Sequence, residues 1–231
     1  MKNNKLLIFS HRGNNKGFYE NTIETINSVM LLPIDGIEID IRLTKDKVPV
    51  LAHDKSLKRI AGLNILISSL TYSELIKIPI YEKYKIPKLS DVLTLINNTT
   101  ILNIELKDIG SAHIVGDMLA NLIDVGQWIP NNLIVSSKIV TELYDFNKLN
   151  LPISTALISG LFVTKDIYIA KNNFKMIVVN RHYLRKRHIT LSHRYDLKTL
   201  VYTVNKTQSI SRLAKIGVDG VFTDNSNMNY H

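Results

Sequence analysis

Short runs of apolar residues alternate with helical stretches along almost the whole chain, and this alternation limits the possible folds more than any other feature. The runs are rich in Ile, Leu and Val, as strands buried in a parallel sheet are. Eight strand–helix units predict a closed α/β barrel, the TIM (β/α)8 fold. The predicted strands begin at Lys5, Gly36, Thr100, Leu133, Pro152, Met176, Thr199 and Val218.

Helices are predicted where apolar residues recur at intervals of three and four. The segment Lys55 to Pro87 lacks this period, except for one helical turn near Thr71 to Ile76, and predicts a short insertion after the second strand. Only Asn225 to His231 follow the last strand, so the last helix should be short or absent. The predicted helices are Glu20 to Leu32, Leu89 to Ile96, Ser111 to Val125, Ile139 to Leu149, Lys165 to Asn172, Tyr183 to Tyr195 and Thr207 to Ile216.

Composition restricts the class of protein. The 231 residues are 45% hydrophobic, which suits one barrel domain spanning residues 1–231. The absence of cysteine excludes disulfides and thiolate metal sites. The apolar run Leu6 to Phe9 is too short for a signal peptide, and no run approaches the length of a membrane helix. We therefore expect a cytoplasmic protein without stable membrane insertion. The net charge of +9 suits an anionic substrate, a membrane surface or nucleic acid, and does not choose among them.

Acidic residues fall on one face of the predicted strands. Glu38 and Asp40 alternate with isoleucines in the second strand, and Glu105 occupies the matching face of the third. Neighbouring buried carboxylates repel each other, so a cation is expected between them. Three carboxylates form an oxygen cage suited to Mg²⁺ or Ca²⁺, and no His-x-His or Glu-x-x-His pattern favours zinc.

Basic and titratable residues fall at the same end of the predicted barrel, where the active sites of such barrels lie. His11 and Arg12 follow the first strand, His53 closes a hairpin extension of the second, and Lys107 ends the third. Arg12 and Lys107 are positioned to hold a phosphate. His11 and His53 provide one acid and one base. Together with a metal, these groups predict cleavage of a phosphodiester.

Structural explanations are open for several of these groups. Glu38 and Asp40 could instead pair with Arg42 and Lys107 in a network that only stabilises the fold. The basic run Arg185 to His188 is typical of a solvated helix face more than of a nucleic-acid site. The remaining histidines are predicted to be surface residues on helices or the tail: His113, His182, His188, His193 and His231.

Over nearly its whole length the chain resembles the glycerophosphodiester phosphodiesterase family. The resemblance rests on an ordered series of short motifs rather than on one block. These motifs are His11-Arg12-Gly13, Glu20-Asn21-Thr22, Glu38-x-Asp40, Thr44-x-Asp46, His53-Asp54, Thr71 to Leu75, Ile86-Pro87-x-Leu89, Asn103 to Lys107, Thr203-Val204-Asn205 and Gly217 to Gly220.

The resemblance implies a barrel enzyme that hydrolyses glycerophosphodiesters to sn-glycerol 3-phosphate and an alcohol. It implies a divalent cation, Mg²⁺ or Ca²⁺, as cofactor and a small-molecule substrate rather than nucleic acid. The implied roles follow the motifs: metal ligands at Glu38, Asp40 and Glu105, an acid–base pair at His11 and His53, and phosphate contacts at Arg12 and Lys107.

The chain departs from the family pattern at three positions, and the last two bear on the substrate. Tyr19 replaces a proline before the Glu20 motif, Lys138 replaces a phenylalanine after the fourth strand, and Tyr202 replaces a tryptophan. The resemblance places Lys138 and Tyr202 at the pocket rim, around the alcohol end of the substrate. A lysophospholipase D activity on the same site is therefore an alternative. A catalytically silent barrel that binds polyanions through the basic region Arg181 to Lys198 is another.

Overall fold

Nine strands form one continuous sheet in the computed structural model, which describes residues 5–227. Eight of them are parallel, and pairing of the first strand with both the second and the last closes the sheet. The third strand instead pairs antiparallel with the second, as a hairpin. The strands are β1 Leu7–Ser10, β2 Gly36–Leu43, β3 Pro49–Leu51, β4 Ile101–Leu106, β5 Leu133–Ser137, β6 Ser154–Ser159, β7 Met176–Asn180, β8 Lys198–Tyr202 and β9 Gly220–Thr223. The predicted TIM barrel is confirmed.

Helices connect the successive parallel strands. The helix predicted over Glu20 to Leu32 is shorter than expected, because the side chain of Thr22 accepts a hydrogen bond from the Thr25 N–H and begins it there. The helices are α1 Ile23–Val29, α2 Lys58–Ala61, α3 Tyr72–Leu75, α4 Leu89–Ile96, α5 Ser111–Asp124, α6 Val140–Asn147, α7 Val163–Ala170, α8 Lys186–Arg194 and α9 Thr207–Lys215.

Alternation along the strands separates two environments. Ile37, Ile39 and Ile41 are fully buried in the apolar layer between barrel and helices, while Glu38 and Asp40 alternate with them. A second apolar cluster, which includes the mutually tilted rings of Phe9 in β1 and Phe222 in β9, fills the other strand faces. The barrel interior is therefore apolar in one part and densely charged in another.

The insertion after β3 has a small core of its own, built from residues such as Leu57, Ile67, Leu75 and Ile86. It contains α2 and α3 and lies against the hairpin that carries His53. Between residues 5 and 227 no helix follows β9, and the rest of the predicted tail lies outside the described residues. No helix in this range is long and apolar enough to cross a membrane.

Candidate active site

The predicted site residues lie together at the carboxyl ends of the strands. His11 and Arg12 form a 3₁₀ turn directly after β1, His53 follows β3, and Lys107 follows β4. A cavity of about 170 Å³ opens there. It is lined by His11, Arg12, Glu38, His53, Asn103, Glu105, Lys107, Lys138, Ile158, Val178, Asn180, Tyr202, Thr203 and Phe222.

Strand register aligns the acidic residues. Glu38 pairs with Asn103 and Asp40 with Glu105 across β2 and β4, so the side chains stand side by side. One oxygen from each of Glu38, Asp40 and Glu105 lies within 4.8 Å of the others, and all three residues are buried. Three converging carboxylate oxygens are a donor set that suits a hard divalent cation.

Lys107 already stands between two of these carboxylates. Its Nζ lies 3.0 Å from Asp40 Oδ1 and 2.8 Å from Glu105 Oε1. Arg42 instead donates to the His53 carbonyl and to Asp108, and within residues 5–227 it has no ion pair with the cluster. The structural network considered from the sequence therefore includes Lys107 and excludes Arg42.

Glu38 lacks such compensation. Within residues 5–227 no lysine or arginine side chain pairs with it, and it accepts a 2.7 Å hydrogen bond from the Arg12 N–H. Burial and the adjacent Asp40 charge raise the pKa of Glu38 to about 8. Burial acts in the same direction on Asp40, but Lys107 and Arg12 outweigh it and lower the pKa of Asp40 to about 2. An additional cation beside Glu38 would remove this imbalance, so the residues fit a divalent metal.

Asn103 adds a neutral oxygen to the same wall. Its Oδ1 is buried beside the cavity and has no hydrogen-bond partner within the part of the chain that the structure describes. An unsatisfied buried carbonyl is costly, so this atom is poised to meet a donor or a cation from the cavity. Strand alternation predicts Asn103 on this face, but no role was predicted for it.

Arg12 adopts a left-handed backbone conformation, with φ of 58°. This conformation is uncommon outside glycine and here accompanies the contact of the Arg12 N–H with Glu38. The guanidinium Nη1 lies 3.1 and 3.0 Å from the two carboxylate oxygens of Glu20, and Nε lies 3.4 Å from Asp40. Arg12 is therefore held at the cavity by two carboxylates.

His11 is oriented by Asp224. Its Nδ1 lies 2.7 Å from Asp224 Oδ1, while amide groups of Asn14 and Asn205 donate to the same carboxylate. Its Nε2 lies 4.0 Å from Glu38. Burial lowers the pKa of His11, but the Asp224 hydrogen bond and the Glu38 charge outweigh it, so the pKa is raised. The ring is thus fixed by one nitrogen and presents the other toward the carboxylates.

His53 has a similar contact in different surroundings. Its Nδ1 lies 2.7 Å from Asp54, whose second oxygen accepts a 2.6 Å hydrogen bond from Arg59. Arg59 also donates to Glu20, 2.6 Å away, and thereby joins the His53 side of the cavity to Arg12. Burial lowers the pKa of His53, and the charges of Lys107 and Arg12 lower it further. The charge of Asp40 raises it, but the net shift is downward.

Sequence reasoning gave no role to the residues that hold the histidines. Asp54 and Asp224 follow strand ends and Glu20 lies in a quoted motif, so position gave a signal for these three. Arg59 gave none, because its role depends on the path of the insertion. Lys138 and Tyr202 do line the cavity, with the lysine Nζ 5.9 Å from the tyrosine ring centroid. Their effect on substrate choice stays a prediction.

One prediction about a histidine is wrong. His188 is buried rather than on the surface, because its Nδ1 accepts the N–H of Arg185 at the beginning of α8. His113, His182 and His193 are exposed as expected, although His182 lies in a turn. His231 lies outside the described residues.

Comparison with known proteins shows the family to which the chain belongs. The model of the glycerophosphoryl diester phosphodiesterase family matches residues 11–228. A glycerophosphodiester phosphodiesterase of Bacillus altitudinis is 29% identical over 94% of this chain and 94% of its own length. Lysophospholipase D GDPD1 of Rattus norvegicus is 26% identical over 93% of this chain and 82% of its own.

Solved structures show the same fold. An Oleispira antarctica phosphodiesterase, solved in complex with the product sn-glycerol-3-phosphate, superposes with a TM-score of 0.85 and 22% identity. The superposition covers 95% of this chain and 93% of that one. Since the match to the family model spans residues 11–228, the chain belongs to the glycerophosphoryl diester phosphodiesterase family and is an enzyme of that class.

Proposed function

We propose that the protein hydrolyses glycerophosphodiesters to sn-glycerol 3-phosphate and an alcohol with the help of a divalent cation. The observation that carries the proposal is a cavity lined by two histidines, two fixed cations and the carboxylates of Glu38 and Glu105, with an Asp40 oxygen within 4.8 Å of both carboxylates. Relatives named glycerophosphodiester phosphodiesterase support the choice of substrate.

Glu38, Asp40 and Glu105 would hold the cation, Mg²⁺ or Ca²⁺, with Asn103 as a neutral oxygen beside them. When bound, such a cation neutralises charge that develops on the phosphoryl oxygens. Lys107 contacts two of these carboxylates, so its ammonium lies next to the position that the phosphate would occupy. Arg12 approaches the same position from β1. These two side chains bind and orient the phosphate.

The histidines move the protons. His53, whose pKa is lowered, takes the proton of the attacking glycerol hydroxyl beside the phosphodiester. His11, flanked by Asp224 and Glu38, donates a proton to the leaving alkoxide. Attack by the neighbouring hydroxyl gives a cyclic phosphate, which water then opens to glycerol 3-phosphate. Asp54 and Asp224 fix the two rings in the orientations that these transfers need.

The direct test is release of glycerol 3-phosphate from glycerophosphocholine or glycerophosphoethanolamine. We expect turnover with Mg²⁺ or Ca²⁺, loss in excess chelator and recovery on metal add-back. A folded Glu105→Gln variant should need far more metal, whereas Glu82→Gln, in the insertion, should behave as the unaltered protein. Full turnover in chelator would refute the metal requirement.

Lysophospholipase D activity on the same site is the second candidate. It is favoured by the similarity to the rat lysophospholipase D and by Lys138 at the cavity rim, where the family pattern has phenylalanine. The two candidates separate in one assay that compares lysophosphatidylcholine with glycerophosphocholine. Release of choline from the diester alone would reject the second candidate.

A further inference from the structure

A second region of the catalytic face carries exposed apolar side chains. Leu161 and Phe162, in the loop between β6 and α7, are 64% and 71% exposed, and Tyr183, between β7 and α8, is 40% exposed. Scattered apolar residues are normal on a protein surface. Three large ones on adjacent loops at the same end of the barrel indicate a contact surface.

These loops lie at the mouth of the catalytic cavity. They follow the carboxyl ends of β6 and β7, and Ile158 and Asn180 of those strands line the cavity. The strands are paired, and a surface groove joins Thr164 of α7 to Lys186 and Arg187 of α8. The exposed apolar tip and the beginning of α8 are therefore neighbours.

The same region is strongly basic. Residues 181–187, which run from the end of β7 into the first turn of α8, contain four lysines and arginines and no acidic residue. Arg185, Lys186 and Arg187 are exposed, and none has an ion pair with a carboxylate within residues 5–227. Arg185 and Arg187 use their side chains for hydrogen bonds to nearby carbonyls or to the ring of His188. The three cations are thus free to meet an anionic surface.

The loop that carries Leu161 and Phe162 is anchored where it leaves β6. Asp166, in the first turn of α7, accepts hydrogen bonds from the Ser159 hydroxyl, at 2.6 Å, and from the Gly160 N–H, at 3.1 Å. Its charge is therefore directed to the root of the loop and does not neutralise the basic side chains of α8. Leu161 and Phe162 project beyond this anchored turn.

We propose that Leu161, Phe162, Tyr183, Arg185, Lys186 and Arg187, here called the β6–β7 rim, dock the enzyme on an anionic lipid bilayer. Large apolar side chains at a loop tip enter the headgroup boundary, where tyrosine is also favoured. Lysine and arginine around them are attracted to anionic headgroups. A nucleic acid would use the cations and stack its bases on the aromatic rings, but it would leave the exposed Leu161 side chain without a partner. Docking turns the mouth of the cavity toward the membrane, whichever diester is cleaved.

The test measures sedimentation of the full chain with vesicles, in the absence of substrate. We expect binding to vesicles of phosphatidylcholine with phosphatidylglycerol, and at least about tenfold weaker binding to phosphatidylcholine alone. The triple variant R185Q/K186Q/R187Q and the double variant L161S/F162S should each lose at least about tenfold on the mixed vesicles.

Matched controls lie at the opposite end of the barrel. K175Q/K198Q/K215Q removes the same charge from exposed positions next to the beginnings of β7 and β8 and the end of α9. L31S/V125S removes two exposed apolar side chains, 87% and 74% exposed, from loops that precede β2 and β5. Both controls should bind vesicles within about twofold of the unaltered protein.

Two outcomes would overturn the proposal. Equal losses in the rim and control triples would show attraction by net charge alone. Unchanged binding of L161S/F162S would show a charge-only surface, as expected for a polyanion such as RNA. Turnover of soluble glycerophosphocholine should persist in all four variants, so a failure of vesicle binding is distinguishable from a failure of the proposed activity. Circular dichroism and thermal melting establish that each variant is folded.

Discussion

His11 and His53 make the same first contact in opposite surroundings. Each presents Nδ1 to a carboxylate oxygen at 2.7 Å. Yet the pKa of His11 is raised and that of His53 is lowered. A hydrogen bond to aspartate raises the pKa of a histidine, so this shared bond does not explain the difference. The groups around each histidine–aspartate pair explain the difference in pKa.

Around His11, negative groups outweigh the one opposing charge, that of Arg12, which lowers the pKa of His11 by less than Glu38 raises it. Asn14 and Asn205 hold its aspartate, and Glu38 faces the other ring nitrogen. His53 faces the charges of Lys107 and Arg12, and its aspartate is shared with Arg59. One ring is thereby favoured as imidazolium and the other as neutral imidazole. The comparison supports His11 as the acid and His53 as the base.

Removal of either imidazole should have the largest effect. His11→Ala and His53→Ala should each lower kcat by about 10²–10⁴-fold, because each deletes a group that transfers a proton. Steady-state release of glycerol 3-phosphate measures this loss, and His113→Ala, on the exposed face of α5, is the control. Near-normal kcat in a folded variant of either histidine would remove that histidine from the mechanism.

Substitution of Asp224 and Asp54, which hold the two histidines, tests the same comparison. Asp224→Asn should lower kcat by about 10–100-fold with little change in KM, because Asp224 sets the orientation of His11. Asp54→Asn should cost less, because the charge of Asp54 is divided between His53 and Arg59. Equal losses, measured under the same saturating metal, would contradict the difference between the two surroundings.

Sequence patterns predict the parts of the site that depend on strand geometry. Alternation alone places Glu38, Asp40 and Glu105 on inner faces, and parallel pairing aligns the strands. The contact of His11 with Asp224 joins residues 213 positions apart. Barrel closure brings their strands together, but the hydrogen bond itself depends on loop conformation. No period in the sequence encodes such a conformation.

Two other residues show where pattern reasoning fails. His188 lies on the predicted helix among basic residues, which favours solvent exposure, yet its ring is buried by the local cap of α8. Arg59 lies in the insertion, where no regular spacing predicts which way a side chain points. The conformation of irregular backbone is determined by tertiary contacts. The roles of residues in such segments are therefore visible only in the folded structure.

The dependence of kcat on pH tests the surroundings of His53. Burial, with Lys107 and Arg12, lowers the pKa of His53, whereas its bond to Asp54 raises it. Asp54→Asn removes the raising effect, so the pKa should fall further. A base must be deprotonated, and activity is lost as pH falls through its pKa. The acidic limb of kcat against pH should therefore move to lower pH, by about one unit or less. Movement to higher pH would contradict the assignment of His53 as the base.

Substitution of Arg59 should have the smallest effect on kcat. It is also the most direct test of the link between the His53 side of the cavity and Arg12. It lies 2.6 Å from both Asp54 and Glu20, and Glu20 in turn holds Arg12. Its side chain is 45% exposed, and such ion pairs contribute little stability. Arg59→Gln should therefore lower kcat only about two- to fivefold and leave the melting temperature almost unchanged.

Lys58→Gln, at the adjacent exposed position, removes the same charge without these contacts and is the matched control. If Arg59 acts by holding Asp54, the Asp54→Asn background should mask most of the Arg59→Gln effect on kcat, because the bond is already weakened there. Fully multiplicative losses in the double variant would show that Arg59 acts elsewhere.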